Sequence, residues 1–456
     1  MNIAGWLALL VAIYCCGNGI IRLVGLVEKP LFHVLLSLVV GIPVISLAPL
    51  LVQLCKLPID ALWVAIAIVV LCAVVWLPQI KKIRMPKFSK IPLPNIYEAP
   101  LLLIIGFLLV NSAWRCFYYP PLPRDLVTGP ELIAEYAIRE KTLINSVYDI
   151  DLSTTNNYLK SPFITGLQIV YKLFVCPFGQ VWLSILAFSF YGILYILLRQ
   201  KIHPLFAAFL MLLFVTIPDI YAYTYLVLYD FSEMVFFFLG FYYLLLFTGD
   251  SDNKKLVFSA ILFGFAVYIR AETLILVFLM LPIVVYPILK QSATAKQKIL
   301  QIGMFVGIPV ICYLICVDVF VRLFVPVQFN VSDNLNHDLL NITPFFVRLF
   351  DIGKELIFCQ YGVDIFAWFI FFFLIVLITD ALVFRNFGKE ALLCIYAIAI
   401  VYIGMAFIGY LIPLADLLNT TKRGLFRFAP IMLLYMRYSK SLLWATEKIG
   451  KWELSI

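Results

Sequence analysis

The chain has 456 residues, 64% of them hydrophobic and only 13% charged, with a mean hydropathy of +1.02. A soluble protein of this length would divide into two or three domains, but apolar runs of roughly 17 to 25 residues recur from end to end, each long enough to cross about 30 Å of hydrocarbon as a helix. The formal net charge of +8 is not a nucleic-acid footprint, since Lys and Arg are largely confined to short loops between the runs, where they set orientation.

The runs are continuously apolar and do not alternate as barrel strands do, so the expected fold is an all-α polytopic membrane protein. In chain order the predicted spans are 3–24, 31–54, 59–79, 98–117, 179–198, 203–218, 231–248, 256–270, 272–289, 300–322, 363–384, 391–413 and 424–437. Several are short or abut at Pro, which sets the expectation at about 11 to 13 transmembrane helices. The first run has no basic start and no small-residue cleavage site, so it reads as a span and not as a signal peptide. The ten Cys lie mainly inside the runs without a CxxC, and read as small buried hydrophobes rather than a disulfide framework or metal site.

Loop charge then orients the chain. Residues 80–97, "IKKIRMPKFSKIPLPNIY", carry five Lys or Arg and no acid, which makes this loop cytoplasmic. Alternation places "RQK" at 199–201, "KK" at 254–255, Lys290 to Lys298, "RNFGKE" at 385–390 and the tail on the same side. Residues 118–178, 323–362 and 414–423 fall on the other side. The expected organisation is an N-terminal group of spans with its basic loop (1–97), a main membrane domain (98–437) and a cytoplasmic tail (438–456).

The first outer loop is unusually charged for so apolar a chain. "YPPLPRDLVTGPELIAEYAIREK", 119–141, holds Arg124, Asp125, Glu131, Glu135, Arg139, Glu140 and Lys141. Thr128 and Glu131 have capping-box spacing and Pro130 suits a first helical turn, so "TGPELIAEYAIREK" reads as a helix along the membrane surface. Glu131, Glu135 and Arg139 recur every four residues and share a face. Asp125 sits just ahead of that helix. "NNYLKSPFITGLQIVYKLF", 156–174, starts polar and turns apolar after Pro162, with Lys160 just before it, and reads as a re-entrant or interfacial helix.

These two stretches resemble the GT-C glycosyltransferases, polytopic enzymes of the protein mannosyltransferase and aminoarabinose transferase type that use polyprenyl-phosphate-sugar donors. In that superfamily an acid near the start of the first outer loop ("RDE" or "DE") precedes a surface helix, and "KPPL" leads into "YKLFG"-like sequence. Here "PRDLVTGPE" and "LKSPFITGLQIVYKLF" are similar, with Ser161 and Phe163 in place of Pro and Leu. "FSAILFGFAVYIRAETLILVFLMLPIVV", 258–285, resembles "GLA-x-LTRPEGLL" with Arg270 retained and Ala271 in place of Pro. "TTKRGLFRFAPIMLLYM", 420–436, resembles "RYLLPALP", and Arg423 keeps the seven-residue distance to Pro430. The resemblance covers about residues 98–437; the spans before residue 80 do not match it.

The resemblance implies a GT-C-like helical bundle in a bacterial inner membrane, active on the periplasmic side in glycan biosynthesis of the cell envelope. It implies a single inverting displacement from a polyprenyl-phosphate-sugar to a glycan, lipid or protein acceptor, amid membrane lipids. Asp125 would then be the general base that takes the acceptor hydroxyl's proton; its structural alternative is a turn Asp capping the following backbone. Lys160, Arg270 and Arg423 would hold the leaving phosphate, whose charge grows in the transition state. For Arg270 the alternative is a salt bridge to Glu272 or snorkelling to headgroups. Glu131, Asp230 and Glu233 are acceptor-orienting or metal candidates, for Mg2+ or Mn2+; the alternatives are a solvated helix face for Glu131 and acids favoured at a helix N-terminus for the other two. Asp219, in "TIPDIYAYTY", has aromatic neighbours that suit a sugar-binding wall. His337 reads as a solvated loop residue, and Asn330, Asn341 and Asn419 begin N-x-S/T triplets.

Two other functions fit such a chain. A transporter or flippase of lipid-linked glycans would place its ionisable residues near mid-membrane and show an internal repeat. A lipid-diphosphate-dependent polymerase or ligase would carry an Arg-rich late outer loop, whereas 323–362 has only Arg348 and Lys354. A structural assembly subunit would leave the order of Asp125, Lys160, Arg270 and Arg423 unexplained.

Overall fold

The computed structural model describes residues 2–78, 95–122, 124–149, 160–325, 335, 336, 338, 340–359, 362–385, 387–412 and 421–453. Most of the basic loop at 80–97, together with His337, Asn330 and Asn419, lies outside the described residues. The helices are α1 (Ile3–Val24), α2 (Pro30–Ser46), α3 (Ala48–Leu54), α4 (Ala61–Trp76), α5 (Ala99–Tyr118), α6 (Arg124–Val127), α7 (Pro130–Glu140), α8 (Pro162–Phe174), α9 (Val181–Arg199), α10 (Pro204–Val215), α11 (Pro218–Ala222), α12 (Tyr229–Asp250), α13 (Asn253–Ile269), α14 (Thr273–Leu279), α15 (Leu281–Lys290), α16 (Ala295–Leu314), α17 (Arg322–Phe324), α18 (Thr343–Ile357), α19 (Ile365–Thr379), α20 (Lys389–Leu411), α21 (Lys422–Leu425), α22 (Phe428–Tyr438) and α23 (Lys440–Glu453). A two-residue antiparallel pair, Phe358–Cys359 with Gly362–Val363, is the sheet structure among the described residues.

Nine helices or continuous helix pairs among the described residues are long and apolar enough to cross a membrane. The protein is thus a multi-pass, all-helical membrane protein. The predicted spans at 59–79, 203–218, 256–270 and 424–437 become the shorter helices α4, α10, α13 and α22. These four fall short of the length or apolarity of a full span, which leaves the count at nine by that test.

Contacts between loops sort the chain into two ends. At one end Arg199 pairs with Glu98 at 2.8 Å, Tyr243 donates to Glu28 at 2.8 Å and Arg437 donates to Gln200 at 3.0 Å. The basic stretches 199–201, 254–255 and 290–298 belong here, and Lys389 donates to the Thr248 carbonyl at the same end. At the opposite end the Asn2 amide donates to Val175 at 2.8 Å, and the Ile59 amide donates to Lys141 at 2.9 Å. The N-terminal helices belong to the same body as the rest: the Ser46 and Tyr268 hydroxyls lie 3.2 Å apart. Two glycines bring α1 and α2 together, for a Cβ on Gly17 would lie 1.8 Å from the Ser37 carbonyl and one on Gly41 1.8 Å from that of Ile13. Small residues permit such close crossing where no water drives helices together.

Two local expectations are corrected. Helix α8 is not an exposed surface helix, as the interfacial alternative to a re-entrant one expects: Pro162 to Tyr171 are all buried, packed among α2, α3, α7 and α9. The capping box at Thr128 and Glu131 does not form. Gly129 is the N-cap of α7, without a side-chain cap, because Glu131 turns inward to Lys172, 2.6 Å away.

Candidate functional site

Five distant segments meet at the end opposite the basic loops: α6, the residues before α8, the first turn of α12, the break between α13 and α14, and α21–α22. The local reasons differ. Asp230 lies in the first turn of α12, where the helix dipole favours acids, and Glu233 follows at i+3 on the same face. Arg270 caps the C-terminus of α13, where a cation is favoured, and Glu272 opens α14 two residues later. Arg427 sits at the N-terminus of α22, the wrong end for a cation, and is offset by Glu233.

The side chains form an ion-pair chain from Lys160 to Glu272, with the Glu233–Arg427 pair beside it. The Asp125 Oδ2 lies 3.7 Å from Lys160 Nζ and 3.4 Å from Arg423 Nη2. The Nη1 of Arg423 lies 3.9 Å from Asp230 Oδ2, and Asp230 is also paired with Arg270. The Nε of Arg270 meets Glu272 Oε1 at 2.6 Å. Glu233 pairs with Arg427 and accepts from Thr273 Oγ1 at 2.9 Å. Tyr229 supports the floor: its hydroxyl donates to the Ser161 carbonyl at 2.8 Å, and Lys160 Nζ stands 5.7 Å from its ring centre.

Exposure varies across this cluster, with Asp230 at 5% and Glu272 at 27%. Asp125 and Lys160 are about one-third exposed (35% and 33%), Arg423 and Arg270 less (19% and 15%), and Glu233 and Arg427 are sealed at 1% each. Four carboxylates (Asp125, Asp230, Glu233, Glu272) face four cations (Lys160, Arg270, Arg423, Arg427), so the cluster is balanced among its named members. Burial pushes the Lys160 ammonium below the usual lysine range. Asp125 opposes that shift, and Arg270 and Arg423 add to it.

Six of the seven expected site residues therefore meet: Asp125, Lys160, Asp230, Glu233, Arg270 and Arg423. The alternative given for Arg270, a bridge to Glu272, is also present, so it holds two acids at once. Glu131 stands in a separate group. It is buried against Lys172 and accepts from Gln168, whose own Oε1 accepts from Trp182 at 3.1 Å. Lys172, unassigned by sequence reasoning, also reaches Glu135 at 3.2 Å. The signal was its place as a lone cation inside the apolar "VYKLF" stretch.

Arg427, in "TTKRGLFRFAPIMLLYM", lies four residues beyond Arg423 but does not join it in a basic rim. Instead it is a buried partner of Glu233 that also contacts the Met405 sulfur at 2.8 Å. Lys422 pairs with Asp364. Beyond the ions, Tyr223 packs its ring 5.8 Å from that of Phe426. For Mg2+ or Mn2+ the donor set is poor: no three His, Cys, Asp or Glu side chains converge among the described residues, and hard cations need several oxygens.

The arrangement can hold an oxyanion beside a partly exposed carboxylate. Arg offers a rigid fork and Lys a point charge to a phosphate, while Asp125 faces the more open side. No known family, no curated protein and no solved structure matches this chain.

Proposed function

We propose that this chain is an integral-membrane glycosyltransferase of GT-C type, moving a sugar from a polyprenyl-phosphate carrier to an extracytoplasmic glycan, lipid or protein. The observation that supports this most is the placement of one carboxylate, Asp125, between Lys160 and Arg423, residues drawn from distant parts of the chain. In the proposed reaction the acceptor oxygen attacks the anomeric carbon and the bond from that carbon to the phosphate oxygen breaks. The electron pair leaves with the lipid phosphate, and the acceptor proton passes to Asp125. Lys160, Arg423 and Arg270 would face the phosphate as its charge grows.

The cations are already paired with carboxylates, and this suggests an order of events. A donor phosphate competes with Asp125 for Lys160 and Arg423. Binding of the donor thereby releases the carboxylate to meet the acceptor hydroxyl, so donor precedes acceptor. The sealed Glu233–Arg427 pair is the one feature that favours a second reading, a carrier of lipid-linked glycans, because an ionisable pair inside a membrane bundle is functional by default.

The test is sugar transfer by the purified protein from polyprenyl-phosphate donors, wild type beside Asp125→Asn, with and without EDTA. The expected result is transfer that falls about 10²- to 10⁴-fold in the variant, donor binding at least as tight as in wild type because the competing carboxylate is gone, and no effect of EDTA. Full transfer by Asp125→Asn would remove the assigned base. No turnover with any donor, alongside intact binding of polyprenyl phosphate, would favour the carrier.

A further inference from the structure

At the basic-loop end, a groove of about 1160 Å³ opens between the ends of α12 and α15 and the start of α20. Its size is just above the roughly 300–1,000 Å³ usual for ligand pockets. We propose that it binds an anionic two-chain phospholipid of the leaflet on that side. The inference does not depend on the glycosyltransferase reading, since it concerns a different end of the molecule.

The groove has an amphipathic lining. Ile283, Leu392 and Leu393 form apolar wall, while Lys290, Ser292 and Lys389 are polar. The flank facing outward is apolar and open: Tyr286 and Leu289 are each 60% exposed and Leu392 is 51% exposed. In a bilayer these side chains meet acyl chains, so a lipid can lie with its tails along the flank and its phosphate at the lysines.

The charge matches that occupant. Lys290 Nζ lies 4.3 Å from the Tyr286 ring centre and bonds its hydroxyl; Lys389 Nζ donates to the Thr248 carbonyl. Both partners are neutral. Among the described residues neither lysine pairs with a carboxylate, and each ammonium has three N–H donors, so donors remain for a phosphate. Lys389 also opens the 23-residue helix α20, whose N-cap Gly388 provides no side-chain cap. The amides and dipole of such a terminus favour an anion. Glu390 shares that first turn but does not line the groove. Basic pockets between membrane helices on the cytoplasmic side are suited to anionic headgroups.

Native mass spectrometry of the detergent-purified full chain tests this, titrating phosphatidylglycerol against phosphatidylcholine of the same chains. Wild type should retain phosphatidylglycerol roughly tenfold more tightly. Lys290→Gln/Lys389→Gln should lose that preference, while Lys290→Arg/Lys389→Arg keeps it. A lipid-free thermal midpoint unchanged in the Gln variant shows that the loss is not misfolding; if the midpoint falls, the Arg variant and single substitutions at each lysine decide. Equal retention of both lipids by wild type, or a preference that survives both Gln substitutions, would overturn the site. Displacement of phosphatidylglycerol by millimolar inorganic phosphate would replace the lipid with a free anion. Displacement by polyprenyl phosphate in preference to phosphatidylglycerol would replace it with the carrier lipid.

Discussion

The two ends of the molecule handle positive charge in opposite ways. Opposite the basic loops, Lys160, Arg270, Arg423 and Arg427 each meet a carboxylate. At the basic-loop end, Lys290 and Lys389 rest against a tyrosine hydroxyl and a backbone carbonyl. The first arrangement holds its cations fixed in a bundle interior, where an unpaired charge is costly. The second leaves cations at a leaflet surface, where lipid phosphate and water can solvate them. Cation count alone does not distinguish a prearranged site from an anchoring surface; the neighbouring carboxylates do.

The largest effect tests whether pairing at the first end is structural at its sealed extreme. Arg427→Met would strand Glu233 at 1% exposure, and breaking such a pair costs about 3–5 kcal/mol. Adding Glu233→Leu should recover most of it, because replacing both ions by apolar groups is often nearly neutral. Thermal unfolding in detergent reads both variants. A double variant as unstable as Arg427→Met would mean that the pair contributes more than charge compensation.

A smaller effect concerns the open side of the same cluster. The Lys160 ammonium is held below the usual lysine range, by burial first and by Arg270 and Arg423 against the pull of Asp125. Its charge is present below that lowered pKa and lost as pH rises through it. Donor affinity should therefore fall on the alkaline side, by roughly tenfold for one charge-assisted hydrogen bond. Lys160→Arg should remove that alkaline limb, since guanidinium stays protonated. The readout is donor KM against pH; identical profiles would take Lys160 out of the phosphate contact.

Much of the first end was legible in the sequence, and the reason is physical. Asp125, Lys160, Arg270 and Arg423 stand at the positions of motifs that resemble the GT-C pattern, and an ionisable group beside apolar runs is costly unless used. Their partners were not legible in the same way. Arg427 and Glu233 are separated by 194 positions, and nothing in local periodicity links them. Glu131 had the spacing of a capping residue, but spacing cannot show that Lys172 approaches from another helix. The groove at the second end is assembled from three helix ends, and its lysines read in sequence only as orientation signals. Loop charge thus grouped these lysines at one end but did not show their use.

The smallest expected effect marks where ion pairing ceases to matter. Glu135 and Arg139 are joined at 3.0 Å on the outer face of α7, with side chains 42% and 65% exposed. Such an i,i+4 pair contributes only about 0.3–0.5 kcal/mol, and Glu135 keeps Lys172 as a second partner when Arg139 is removed. Arg139→Ala should therefore leave the unfolding midpoint within a degree or so of wild type and leave transfer unchanged. A drop comparable to that of Arg427→Met would contradict the gradient of burial on which the contrast between sealed and solvated pairs rests. It would mean that α7 is held in place by its surface charges, and not by the inward-facing Glu131, Ile133, Ala134 and Ala137 that it buries.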